Sequence, residues 1–223
     1  ACGIPQTLVY IFKIRIQPMK QIAVILVLFL FACSGCAPNR DKPKLADTKL
    51  IIDQSGESFY LVHNGKKRSG VMHVPAGYDG SIPCSLVFAL HGRGGTGARF
   101  RDHGFDEYAD RYNFIVVYPD AIAGIWEIYP GITGPNDDLA FFEMMIKGFS
   151  KKYRIEPSRM YVTGHSMGGY MTYRLAHDMP GKISAIAPVA GLSVAFGNPV
   201  AKGPISLLHL HAADDWTVRV GAQ

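Results

Sequence analysis

Gly164-His165-Ser166-Met167-Gly168, followed directly by Gly169, lies between the apolar run Met160-Tyr161-Val162-Thr163 and a helix-patterned stretch that ends at Met179-Pro180-Gly181. A serine hydroxyl is a poor nucleophile unless a base takes its proton, and it must also stand clear of the sheet that carries it. A sharp turn from strand to helix does this, but it crowds the backbone so closely that glycines are needed two before and two after the serine. Strand before and helix after are the context the motif requires, and both are readable here.

Working outward, strands and helices alternate. Phe59 to His63 reads as a strand, Asn64-Gly65 as the tight turn of a hairpin, and Ser69 to Val74 as its second strand. Ser85 to Leu90 is continuously apolar, which suits a strand covered on both faces. A helix over Asp102 to Arg111, the strand Phe114 to Tyr118, and a helix from an Asp137 N-cap to about Tyr153 follow. After the central motif come strands at Ile183 to Pro188 and Pro204 to His211. This order predicts an α/β domain with a mostly parallel central sheet and helices on both faces.

Two further strings carry chemistry. His91-Gly92-Arg93-Gly94-Gly95 follows a strand, and its glycines let the backbone approach a substrate. It is therefore read as the source of one N–H donor for an oxyanion, from Arg93 with Gly94 as the alternative; Met167, after the serine, supplies the other. The string lacks the Gly-Lys-Ser/Thr ending of a phosphate loop. His211-Ala212-Ala213-Asp214-Asp215 follows the last strand, where a carboxylate that orients a catalytic histidine belongs; Asp214 and Asp215 both qualify. His209 and His211, two apart on one strand, share a face.

From Phe59 to Val218 the chain resembles the polyhydroxybutyrate depolymerase and feruloyl esterase family of α/β-hydrolases. The resemblance rests on Val74-Pro-Ala-Gly-Tyr-Asp79, Leu90-His-Gly-Arg-Gly94, Val117-Tyr-Pro-Asp120, Asp137-Asp138 with Phe141, Arg159 to Gly169, and Ala187-Pro-Val-Ala-Gly191. It implies a serine carboxylic ester hydrolase acting through a Ser-Asp-His triad, with Ser166 as nucleophile and Asp215 as the acid. Ala212 replaces the family's glycine, and Trp216 stands where a smaller residue is common. The family's histidine lies on a loop beyond one more strand, whereas no histidine follows His211 here. The expectation is a C-terminally truncated domain, lacking its last strand and helix, that is nearly inactive. Two other readings compete: a serine peptidase of the prolyl-oligopeptidase type, and a non-catalytic hydrolase-fold surface lipoprotein.

The net charge of +5 is confined to one end. Residues 1–44 hold six basic side chains against one acidic, so residues 45–223 are formally neutral and offer no case for a nucleic-acid partner. Met19-Lys20-Gln21 and the eleven apolar residues Ile22 to Ala32 read as a signal peptide, too short to span a bilayer. Leu30-Phe31-Ala32-Cys33 resembles a bacterial lipobox, although Phe31 departs from its usual small residue; Cys33 is the expected lipidation site and Cys36 the alternative. Segments are expected at 1–18 (doubtful upstream sequence), 19–36 (export signal), 37–57 (linker) and 58–223 (incomplete catalytic domain). The expected location is outside the cytoplasm: extracellular, periplasmic or membrane-anchored through that lipid. Cys84 is left as a packing residue, and no Cys/His spacing suggests a metal. Neither metal nor organic cofactor is expected, and the expected partner is an ester substrate.

Overall fold

The computed structural model describes residues 49–129, 137–193 and 203–219, all within one compact unit spanning 43–223. The expected export segment with Cys33 and Cys36 lies outside the described residues. Eight strands form one sheet: β1 (Ile51–Ile52), β2 (Ser58–His63), β3 (Lys66–His73), β4 (Cys84–Leu90), β5 (Phe114–Pro119), β6 (Ile155–His165), β7 (Ala185–Val189) and β8 (Ser206–Leu207). Their order is β1-β2-β3-β5-β4-β6-β7-β8. β1 to β3 and the β3–β5 pair are antiparallel, whereas β5, β4, β6, β7 and β8 run parallel. The β2–β3 hairpin turns at Asn64-Gly65, both with positive φ (49° and 73°), as the residue pair demands.

Alternation along the strands separates two cores. Leu86, Phe88 and Leu90 of β4 and Ile115 and Val117 of β5 face α3 (Asp138–Lys152) and α4 (Met167–Asp178), whose Phe142, Met145, Met171 and Leu175 are fully buried. Ala89, Val116 and Tyr118 face the other way, toward Phe100 of α1 (Gly97–Arg101) and Ala109 of α2 (Phe105–Tyr112). Helices therefore cover both faces, as period-2 burial on both sides of a parallel sheet requires. Beyond α2 an apolar groove of about 550 Å³ lies open along Tyr161, Thr163, Ala187, Val189, Leu208 and Leu210.

Three expectations are revised. The helix expected over Asp102 to Arg111 is α2, which begins only at Phe105 because Gly104 before it adopts φ 84°, a left-handed conformation, and the separate short α1 precedes the expected span. The strand expected over Pro204 to His211 shrinks to Ser206–Leu207 plus a bridge from Leu210 to Val189, and among the described residues it pairs only with β7. Asp137 does occupy the N-cap of α3, but at φ 51° its side chain caps nothing and instead reaches His63 Nε2 at 2.6 Å. Cys84 is fully buried, as a packing residue should be, and burial raises its thiol pKa.

Candidate active site

Parallel register brings the chemical strings to one sheet end. Leu90 of β4 pairs with Gly164 of β6, His165 pairs with Val189 of β7, and Val189 bridges to Leu210. The residues just past those positions are His91–Gly95, Ser166, Ala190–Gly191 and His211–Asp215. Four connections from distant parts of the chain thus emerge side by side, at the carboxyl edge where open α/β sheets bind ligands.

Ser166 sits between β6 and α4 with φ 54° and ψ −118°. A non-glycine residue held there is strained by about 1–3 kcal/mol, and such strain persists only where the surroundings enforce it. The Ser166 N–H donates to Val189 O at 2.9 Å, and its carbonyl accepts from Tyr170 N–H at 3.1 Å. A Cβ on Gly164 would fall 2.5 Å from Gly168 O, and one on Gly168 would fall 2.3 Å from Leu90 O. The two glycines therefore let the helix start directly against the end of β4. Met167 is the first residue of α4, so its N–H has no partner within the helix.

The loop after β4 packs against this turn. A Cβ on Gly92 would lie 3.5 Å from both Ser166 Cβ and His165 Nδ1. Gly92 O lies 2.7 Å from His91 Nδ1 and accepts the Gly95 N–H at 3.0 Å. The Gly92–Arg93 peptide is trans, so its N–H points opposite to that carbonyl and away from the His91 ring. Among the described residues the Arg93 N–H has no acceptor, whereas the Gly94 N–H is spent on Gly124 O at 2.8 Å. Of the two donors left open by the sequence, only that of Arg93 stands unengaged.

His91 is buried and neutral. Its Nδ1 faces a carbonyl, which can only accept, so Nδ1 carries the proton; Nε2 then accepts the Ala121 N–H at 3.1 Å. Burial lowers its pKa, against smaller opposing effects from Gly92, Asp120 and Asp138. Trp126 stacks on the ring at 4.9 Å and donates its indole N–H to His91 O. One residue on, Glu127 N–H reaches Asp138 Oδ2 at 2.7 Å, and Asp138 Oδ1 pairs with Arg68 at 2.5 Å in full burial. The Glu127 carbonyl also accepts from Arg174 Nη1 of α4. Sequence reasoning missed this brace, because nothing in the spacing of Arg68, Trp126 and Asp138 announces that they meet.

Asp215 accepts the Thr217 and Val218 N–H groups on Oδ1 at 2.9 and 2.8 Å, and Oδ2 lies 3.3 Å from His211 Nε2. The Val218 hydrogen bond is the main reason its pKa lies below the usual value; Thr217 and the charges of His211 and His165 act in the same direction. Its negative charge also helps raise the Tyr170 phenol, after burial and Tyr129. The acid is therefore within electrostatic reach of the residues on either side of the turn. Asp214 is exposed and makes no hydrogen bond among the described residues.

The eight histidines are mostly engaged. His63 faces Asp137, His73 faces Asp110, His103 faces the Phe100 carbonyl, and His177 faces Asp178. His91 is locked as above, and His209 and His211 lie 3.2 Å apart, nitrogen to nitrogen, on the face they were expected to share. His165, beside Ser166 in the chain, is exposed. Among the described residues no helix is long and apolar enough to cross a membrane.

No family model matches the chain. It is 30% identical over 160 residues to a bifunctional acetylxylan esterase/xylanase of Neocallimastix patriciarum, covering 70% of this chain and 22% of that protein. It is 33% identical over 164 residues to poly(3-hydroxyalkanoate) depolymerase C of Paucimonas lemoignei, covering 67% and 39%. With a probable feruloyl esterase C of Aspergillus terreus it shares 29% over 161 residues, covering 69% and 57%. The chain thus spans between about a fifth and three fifths of the length of these relatives. Among solved structures, a thermostable esterase superposes with a TM-score of 0.58 at 23% identity, covering 78% of this chain and 48% of that one, which establishes the fold. The chain is a homologue of poly(3-hydroxyalkanoate) depolymerases, feruloyl esterases and acetylxylan esterases, built on the α/β-hydrolase fold.

Proposed function

We propose that this chain carries the nucleophile of a serine carboxylic ester hydrolase. Ser166 Oγ attacks the ester carbonyl, the N–H groups of Arg93 and Met167 take the developing oxyanion, and Asp215 orients the imidazole that acts as base. The alcohol leaves with the proton taken from Ser166, and water then releases the acid from the acyl-enzyme. The observation that carries this reading is the strained Ser166 turn beside Gly92, with two unengaged N–H groups next to it. The residues 19–36 fit export, with Cys33 as a lipidation site, which would put the enzyme where polymeric or polysaccharide-linked esters are met.

We assign the base role to none of the eight histidines. All but His165 have a ring nitrogen committed to another group, and His165 is the chain neighbour of the nucleophile. That same observation favours a second reading, a hydrolase-fold surface lipoprotein without catalysis. The two part on one experiment. Hydrolysis of p-nitrophenyl acetate by this chain should be slow, should rise on adding imidazole as a free base, and should lose that rise in Ser166→Ala. Loss of the base from such a triad costs up to roughly 10⁶ in turnover, so fast hydrolysis without imidazole would overturn the assignment of the base. An imidazole response equal in the wild type and Ser166→Ala would remove Ser166 from its role and leave the non-catalytic reading.

A further inference from the structure

The segment that follows β8 carries a row of groups that the ester chemistry does not use. Tyr173 of α4 places its hydroxyl 2.7 Å from His209 Nδ1; His209 Nε2 lies 3.2 Å from His211 Nδ1; His211 Nε2 lies 2.7 Å from Val218 O and 3.3 Å from Asp215 Oδ2. The two imidazoles lie nearly parallel, 12° apart. Tyr173 and His211 are largely shielded, while His209 lies at the surface.

The last contact fixes all the others. A carbonyl and a carboxylate can only accept, so His211 Nε2 must carry hydrogen. In neutral His211, Nδ1 is then a lone pair, and it can only accept the hydrogen of His209 Nε2. His209 Nδ1 is a lone pair in turn, and it accepts the Tyr173 O–H. Burial raises the Tyr173 pKa, so this hydroxyl keeps its proton at neutral pH. The opposite polarity would set two lone pairs against each other at Val218 O and leave that acceptor unmet.

We propose that His211, backed by His209 and Tyr173, is a positioning residue for Asp215: the polarity of the row is set from the Val218 carbonyl outward, so that His211 presents an N–H to the Asp215 loop while His209 and Tyr173 donate toward it. His211 closes that loop from Ala212 to Val218 by holding the Val218 carbonyl, and the Val218 N–H in turn holds Asp215 Oδ1. The carboxylate's second oxygen is thereby held 3.3 Å from His211 Nε2. The proposal rests on the reading of Asp215 as the triad acid, but the row itself is testable without substrate.

The test is nuclear magnetic resonance on the 223-residue chain, using ¹⁵N-labelled histidine and ¹³C-labelled aspartate. In their neutral forms both imidazoles should be Nε2–H tautomers, and the Asp215 carboxyl should titrate below the ordinary 3.8. In His211→Ala the Asp215 midpoint should rise toward that value, and in His211→Gln, whose amide can still donate, it should return. Tyr173→Phe, at the far end of the row, should leave both imidazoles as Nε2–H tautomers, because the Val218 carbonyl sets the polarity and the His211 Nδ1 lone pair still needs the His209 Nε2–H. An Nδ1–H His211 in the wild type, an Asp215 titration unmoved by His211→Ala, or loss of the His211 Nε2–H tautomer in Tyr173→Phe would each overturn the proposal. None of these readouts needs turnover, so failure of the ester assay and failure of the row are separate results.

Discussion

The indole N–H of Trp126 donates to the main-chain carbonyl of His91 at 2.9 Å, across 35 positions of sequence and in full burial. This bond ties the loop after β4 to the segment leading into α3, so the Gly92–Arg93 peptide is held from both sides of its histidine.

Trp126→Phe removes the indole donor together with part of a fully buried ring. The buried His91 carbonyl then loses its partner, which should cost about 1–3 kcal/mol. Urea unfolding should show a lower midpoint with an unchanged slope. A midpoint equal to the wild type would mean that the bond does not support the loop.

Gly168→Ala and Gly94→Ala separate crowding from backbone freedom. A methyl at Gly168 would press on Leu90 O at 2.3 Å and His91 O at 2.7 Å, both main-chain atoms that cannot swing aside. The expected loss is about 3 kcal/mol or more. Gly94 has open space around it but φ 72°, so alanine there should cost only about 1–2 kcal/mol. Thermal denaturation of the pair should rank them in that order; the reverse order would sink the explanation of the turn.

Much of this was legible in the sequence because it depends on local chemistry. The glycines of the Ser166 turn, the Asn64-Gly65 hairpin and the buried run of β4 each declare their conformation within a few residues. Long-range pairing is a different matter. Asp137 and Asp138 look alike beside a helix start, yet one turns out to His63 while the other is buried on Arg68, seventy positions away. Which neighbour goes inward depends on a sheet that no local window contains. The row from Tyr173 to His211 was half visible, since two histidines two apart on a strand share a face, but its third member comes from a helix.

The Arg68–Asp138 pair makes a third prediction. Both side chains are buried, at 2% and 0% exposure, so removing one partner strands the other's charge. Arg68 also stacks on Phe141 at 4.0 Å, and Asp138 holds the Glu127 N–H. Arg68→Met should therefore destabilise by about 3–5 kcal/mol, measured by urea unfolding. A loss below about 1 kcal/mol would show that Asp138 finds another partner.

The last prediction concerns pH. Burial holds the His91 pKa below its ordinary 6.5, so the folded state takes up this proton less readily than the unfolded chain. The stabilisation from neutral His91 is then complete above about pH 6.5, and it is lost as pH falls from there toward the folded value. Protonation also destroys the acceptor that Nε2 offers to Ala121. His91→Gln retains an amide that can donate and accept but does not titrate. It should be less stable than the wild type at pH 7.5, yet lose less stability between pH 7.5 and 5.5. The other seven histidines are common to both proteins, so the difference between the two slopes isolates His91. Parallel loss of stability in both proteins would place the acid sensitivity elsewhere.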